Sequence, residues 1–309
     1  MRRRRFLQLI GGSFAAMQVS ALPAASGPEL AITMDDPKPD AMVGMTGEEI
    51  NCRILDALHS ANLKAALFCT GMRIDNAAGP PLISAWDAAG HLICNHTYSH
   101  KFYNGEKTTY DVFAADFLRN EPLIRGYKHF TKLFRYPFLK EGDTADKRDR
   151  FRALLKQHGY RVGHVTVDAS DWYVDQRMRE RLGKDPKADT RPYRDYYLEH
   201  IRDRGHYYRQ LARDVLGHDI RHTLLIHHSP LNALYLGDLL NSLKSDGWKL
   251  IDAEHAFRDP VFQREPKTLP AGESLVWALA KESGRYEGKL RYPGEDDTYE
   301  KPKMDALGL

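Results

Sequence analysis

About seven times along this chain a short apolar run of strand length gives way to a stretch with helical spacing, and no other feature restricts the fold as much. The runs fall at 29–35, 64–70, 91–95, 133–137, 161–167, 222–227 and 248–251. Between them the spacing predicts helices. One starts from Thr46, whose capping-box partner Glu49 stands three residues on, and runs through Ile50, Ile54, Leu55 and Leu58. Others are expected at 80–89, closed by Gly90, at 111–132, interrupted by Pro122, at 148–158, capped by Gly159, and at 193–216 and 231–245. Strands separated by helices pair in parallel, so the expectation is an α/β sheet, closed as a barrel or open. Chemistry in such a sheet collects at the C-terminal ends of the strands.

Those ends carry, in order, Asp35-Asp36, His96 to His100, Arg135, Asp168 to Trp172, and His227-His228. Two adjacent carboxylates at a strand end repel each other and resist burial unless a positive charge compensates them. The run Leu92-Ile93-Cys94 leads into two histidines four apart, a spacing that brings both imidazoles to one side of a helical turn. A divalent cation held by Asp36, His96 and His100 answers both observations, since two nitrogens and a carboxylate form an open catalytic zinc set. Asp35 is then left free as a base. Strand alternation lets only one of His227 and His228 point into the site, and the sequence leaves open which.

The 309 residues are 42% hydrophobic, which suits one large domain with appendages. Residues 1–26 read as a targeting segment: Arg2 to Arg5, then Phe6-Leu7, an apolar stretch from Leu9 to Val19, and small residues at Ala24-Ala25-Ser26. Arg3-Arg4-Arg5-Phe6-Leu7 resembles a twin-arginine export signal, which implies an exported protein, periplasmic or secreted. Without the four arginines, 41 basic residues face 42 acidic ones, so the net of +3 becomes −1 and nothing calls for nucleic acid. No other run approaches the roughly 20 apolar residues of a membrane helix. Cys52, Cys69 and Cys94 lie in apolar elements and cannot all pair, so buried free thiols are expected. Residues 173–221 are rich in charge and tyrosine; Tyr193, Tyr196, Tyr197, Tyr207 and Tyr208 read as helix packing, with sugar stacking as the alternative. From Arg258 the composition turns to proline, glycine and charge, with one short helix around 274–281, so this tail is expected to build little core.

Taken together, Thr33-Met34-Asp35-Asp36, His96-Thr97-Tyr98-Ser99-His100, Arg135-Tyr136-Pro137-Phe138, Asp168-Ala169-Ser170-Asp171-Trp172 and Leu224-Leu225-Ile226-His227 resemble, in order, the five motifs of the polysaccharide deacetylases of carbohydrate esterase family 4, the NodB homology domain. The resemblance runs from about Glu29 to Ile251. It implies a distorted (β/α) barrel of about seven parallel strands, a catalytic domain at 27–257 and a tail at 258–309. It also implies Asp36, His96 and His100 as ligands of a divalent metal, usually Zn2+, and Asp35 as general base, held ionised by Arg135. The backbone N–H of Phe138 belongs to an oxyanion site, His227 acts as the acid with Asp171 behind it, and Trp172 walls the pocket. The implied reaction removes N-acetyl groups from an amino-sugar glycan and releases acetate. An O-acetyl esterase and a non-catalytic sugar-binding relative are the rivals. The chain departs from the family where Pro37 and Leu139 replace glycines and Met34 replaces a phenylalanine, differences that bear on substrate choice.

Overall fold

The computed structural model describes residues 27–291, 294 and 296–309; the expected export segment at 1–26 lies outside them. The strands are β1 (Glu29–Asp35), β2 (Ala66–Cys69), β3 (Leu92–Asn95), β4 (Phe130–Phe134), β5 (Lys140–Gly142), β6 (Arg161–Val162), β7 (Arg221–His227), β8 (Lys249–Leu250) and β9 (Ala271–Gly272). The helices are α1 (Gly47–Ser60), α2 (Gly71–Ile74), α3 (Gly79–Ala88), α4 (Tyr110–Ile124), α5 (Ala145–Gln157), α6 (Asp171–Lys184), α7 (Arg191–Leu216), α8 (Pro230–Ser245), α9 (Ala253–Ala256), α10 (Leu275–Glu282) and α11 (Glu300–Ala306).

Seven strands form one parallel sheet in the order β6-β4-β3-β2-β1-β7, with β8 also on β1. From Leu30 onward β1 is buried at every position, as a parallel strand covered on both faces must be. The sheet curls into a distorted barrel, and the expected strand 161–167 shows how it closes. That run is not one strand, because it changes partners: the Gly163 N–H donates to Phe134 O of β4, while the Val167 N–H donates to Thr223 O of β7. One segment therefore bridges the two edges of the sheet, and its regular pairing shrinks to Arg161–Val162.

Other boundaries moved for equally local reasons. The expected helix 111–132 stops at Ile124, and β4 begins at Phe130 rather than 133, three residues ahead of the apolar run that marked it. The charged stretch after Trp172 contains α6, which charge and weak periodicity concealed. Helix α7 buries Tyr193, Tyr197 and Tyr208 against the core, as the packing reading required. Cys69 and Cys94 are buried free thiols, but Cys52 is exposed on α1. The tail differs most from expectation. It contributes Val261, Phe262, Leu275, Val276, Leu279 and Met304 to the main core, and β9 pairs antiparallel with β5.

Candidate active site

Strand β1 delivers two carboxylates and its last turn separates them. Asp36 takes a left-handed backbone (φ 61°), its N–H bonded to Phe68 O at 3.1 Å. Asp35 Oδ1 accepts from Arg135 Nη1 at 2.6 Å, and Arg135 is itself fixed by Gly163 O and by the face of Phe68, 3.9 Å from its guanidinium. Asp36 has other partners: Oδ1 accepts from the Thr70 hydroxyl at 2.5 Å and Oδ2 from Arg73 at 3.1 Å. Each carboxylate thus has its own guanidinium. Thr70 and Arg73 escaped the sequence reading, although both follow the end of β2, a strand end there left without a polar cluster.

The electrostatics divide the pair. Burial pushes the Asp35 carboxyl up to about 6, against the pull of Arg135 and His227. Burial acts on Asp36 in the same sense but is overwhelmed by His100, Arg73 and His96, which hold it well below the usual carboxylate range.

His96 leaves β3 with its Nδ1 2.8 Å from Arg135 O. A carbonyl only accepts, so Nδ1 carries the hydrogen and Nε2 presents its lone pair, 3.5 Å from Asp35 Oδ2. His100 Nε2 lies 3.7 Å from Asp36 Oδ2. The two histidines do not share a helical turn, contrary to the expectation from their spacing. Residues 96–100 form a loop in which Thr97 (φ 61°) and His100 (φ 51°) both take left-handed conformations, and this loop folds the second ring back to 4.9 Å from the first. Burial pushes both imidazoles down to about 4, so both are neutral near pH 7, as ligands must be. One ligand atom each from Asp36, His96 and His100 lies within 4.8 Å of the others. Tetrahedral zinc needs such atoms about 3.3 Å apart, so the donor set and its reach fit a divalent metal.

The open question at the end of β7 is resolved in favour of His227. Its Nδ1 donates to Asp171 Oδ1 at 2.8 Å, and Asp171 Oδ2 accepts from the His227 N–H and from Asn232. Burial works to depress the His227 imidazole, but Asp171, with Asp35 and Asp36 beyond, raises it to about 9 and keeps it a cation. His228 also borders the cavity, but its ring is engaged elsewhere: its Nδ1 accepts from the Lys38 N–H at 3.5 Å and its Nε2 meets Asn51. Asp35 and His227 are register partners on adjacent strands, so a carboxylate and an imidazolium stand side by side at one rim.

Both front a cavity of about 320 Å3 that Phe138 and Trp172 help to line. Phe138 (φ 55°) and Leu139 (φ 54°) are consecutive left-handed residues, so Leu139 holds without strain relief a conformation that glycine adopts freely. The tail braces it: the Glu273 N–H donates to Leu139 O at 2.8 Å, and a side chain at Gly272 would meet that oxygen at 2.0 Å. Trp172 is fixed by the tail as well, its Nε1 donating to Gly294 O at 2.7 Å. Ser170 also donates to Gly294 O, and the Gly294 N–H donates to Asp168. Sequence reading missed Gly294 and Gly272, because nothing local to them signals a site some 120 residues away in the chain.

Residues 24–163 match the polysaccharide deacetylase family. A peptidoglycan-N-acetylglucosamine deacetylase from Bacillus cereus is 28% identical over 154 residues, which is 48% of this chain and 50% of that protein, so the match spans about half of that curated relative. Among solved structures, a polysaccharide deacetylase from Bacillus cereus superposes with a TM-score of 0.50 at 20% identity, over 73% of this chain and 91% of that one. A mutant of a family 4 carbohydrate esterase pseudoenzyme gives 0.51 at 17%, over 75% and 67%. These two show the fold, the NodB-like barrel.

Proposed function

We propose that this chain, whose residues 24–163 match the polysaccharide deacetylase family, is a member of it that hydrolyses N-acetyl groups on an amino-sugar glycan, releasing acetate and a free amine. The observation that carries the reading is the pairing of Asp35 with His227 across β1 and β7, beside the Asp36, His96 and His100 cluster.

Asp36, His96 and His100 would hold a divalent metal, zinc by its ligand types, which when bound supplies Lewis acidity to the acetyl carbonyl and to the attacking water. Arg135 fixes Oδ1 of Asp35, leaving Oδ2 to accept the proton of the attacking water. The water oxygen bonds to the acetyl carbon, and the Phe138 N–H, set by its left-handed turn, is offered to the oxyanion that develops. As the carbon–nitrogen bond breaks, His227 gives the proton on Nε2 to the departing amine, while Asp171 holds Nδ1 and stabilises the cation. Trp172 closes one wall against bulk water, and the exposed rings of Phe102 and Phe138, 5.6 Å apart, offer a sugar an apolar face. A complete acid and base favour catalysis over a binding-only role. With residues 1–26 read as an export signal, the glycan lies outside the cytoplasm, which cell fractionation checks.

Acetate release from N-acetylglucosamine oligomers and from acetylated xylan, before and after chelation and again with added zinc, tests the reading. Release from the oligomers that stops with chelation and returns with zinc is the expected result. Activity confined to the xylan points to the esterase, and a metal-loaded protein inactive on both overturns the proposal.

A further inference from the structure

Asp171 and His227 meet a third residue, Asn232, to which the acetyl chemistry assigns no part. Ser229 caps α8, its hydroxyl accepting the Asn232 N–H at 3.3 Å, so Asn232 stands at the third position of that helix. A capping box has Glu or Gln there, with the side chain accepting from the N–H of the cap. Asn232 instead turns its buried amide toward the end of β7 and the start of α6. Its Nδ2 donates to Asp171 Oδ2 at 2.9 Å and to His227 O at 2.8 Å. A carboxylate and a carbonyl only accept, so the NH2 end must face them and Oδ1 must face the other way. There Oδ1 accepts from the Tyr197 hydroxyl at 2.6 Å. Tyr197 is completely buried on α7, and burial with Asp171 nearby pushes its phenol well above the ordinary tyrosine range, so it donates as an O–H.

The consequence falls on Asp171. It is wholly buried, and among the described residues its ion-pair partner is His227. The torsion that turns a carboxylate is soft, so its oxygens keep their places only when both are tied. Oδ2 is tied twice, by the His227 N–H at 2.8 Å and by Asn232, which leaves Oδ1 aimed at His227 Nδ1. Because Asn232 also grips the His227 carbonyl, one amide fixes both the residue that carries the proton and the residue that orients it. Donation runs from Tyr197 to Asn232 to Asp171, which in turn accepts from His227 at the cavity wall. A buried polar chain with its members satisfied holds a single geometry.

We infer that Asn232, braced by Tyr197, is a positioning residue for the acid: it holds Asp171 and His227 in the arrangement from which the leaving amine is protonated. This rests on the deacetylase reading. It also gives the tyrosine-rich stretch 173–221 a part in the chemistry, since α7 reaches the acid from behind through Tyr197.

A substrate that needs the acid is compared with one that does not. In an N-acetylglucosamine tetramer the nitrogen must gain a proton as the carbon–nitrogen bond breaks, whereas 4-nitrophenyl acetate loses its phenolate as an anion. The metal-dependent kcat on each is measured for zinc-loaded wild type, Asn232→Ala, Tyr197→Phe and Tyr208→Phe. Tyr208 is the control, buried on the same helix with a hydroxyl that has no hydrogen-bond partner among the described residues. Asn232→Ala is expected to lose about 30-fold on the tetramer but under about threefold on the ester, with zinc content unchanged. Tyr197→Phe is expected to lose about fivefold on the tetramer alone, and Tyr208→Phe nothing. Equal losses on both substrates, no loss in either variant, or a Tyr208→Phe loss matching that of Tyr197→Phe overturns the inference. A wild type that releases no acetate from the tetramer sinks the deacetylase reading instead, and proton NMR of the same proteins then decides. Solvent exchange of the His227 Nδ1 proton about tenfold faster in Tyr197→Phe than in wild type and Tyr208→Phe supports the positioning role, and equal exchange in all three overturns it.

Discussion

The chain up to residue 163 and the chain beyond it hold their reactive groups in different ways. In the first part Asp35 ends β1, Asp36, His96 and Arg135 follow directly on β1, β3 and β4, and each carboxylate has a guanidinium of its own. In the second, Asp171 opens a helix, His227 ends a strand, and Trp172 leans on Gly294 far along the tail. The side proposed for metal and base is set by short connections at strand ends, whereas the side proposed for acid and wall is assembled by contacts between distant segments. Damage to the two should therefore read out differently.

The largest effects belong to the first side. Asp36→Ala or His96→Ala is expected to abolish zinc binding, measured by metal content, and to cut acetate release by about 10^4-fold or more. Asp35→Asn keeps the ligand set, so zinc stays while the rate falls by on the order of 10^3-fold. A near-normal rate with zinc present would remove Asp35 from the role of base. On the second side, His227→Ala and Asp171→Asn are expected to retain zinc and lose about 10^2-fold to 10^3-fold in kcat. Zinc lost together with His227 would erase the distinction between the two sides.

A smaller effect crosses between them. Gly272 approaches Leu139 O so closely that Gly272→Ala must displace the Phe138 turn, and its φ of 123° disfavours any side chain. The expectation is a kcat lowered about tenfold with zinc content unchanged. An unaltered kcat would free the turn from the tail.

The smallest effect concerns acid. Burial, helped by Arg204, pushes the His200 imidazole down to about 3, and its Nε2 accepts the Ser170 N–H just ahead of Asp171. The neutral form belongs to the folded state, so its contribution is fully present above the unfolded value near 6.5 and is lost as pH falls below it. Between pH 7 and pH 5 this amounts to about 2 kcal/mol. His200→Gln keeps an acceptor that cannot titrate, so its melting temperature should fall roughly 4 °C less than that of wild type over that range. Equal slopes would show that His200 is not the group responsible.

The same division explains what could be read from the residues alone. Asp35, Asp36, His96, Arg135 and the pair His227-His228 were legible because each stands at the end of an apolar run whose length and spacing mark a strand, although which of the two histidines serves was not. The capping box of Thr46 and Glu49 was legible for a similar reason, since its signal is contained within four residues. Thr70 and Arg73 were not, because Thr70 counts as the last residue of its own apolar run and Arg73 lies three residues further on, in the short helix α2, so neither falls into a polar cluster until Asp36 is seen to need them. The loop from His96 to His100 imitated helical spacing, and only two left-handed residues reveal the other route to the same proximity. Helix α6 was hidden by its charge, and the tail by a composition that conceals how Leu275, Val276 and Met304 reach the core.

Strand β1 pairs with β7 along its whole length, Glu29 to Arg221 at one end and Asp35 to His227 at the other, and with β8 at Glu29 and Leu30. Its partner β2 on the other edge follows soon in the chain, but β7 lies about 190 residues on and β8 about 220. During synthesis the first strand waits with an open edge until those partners arrive, which costs loop-closure entropy and favours slow folding. An exposed apolar edge over that interval invites pairing with another nascent copy. A chaperone or a holdase working on this protein therefore has one stretch above all to cover, and it is the stretch that ends in the two aspartates.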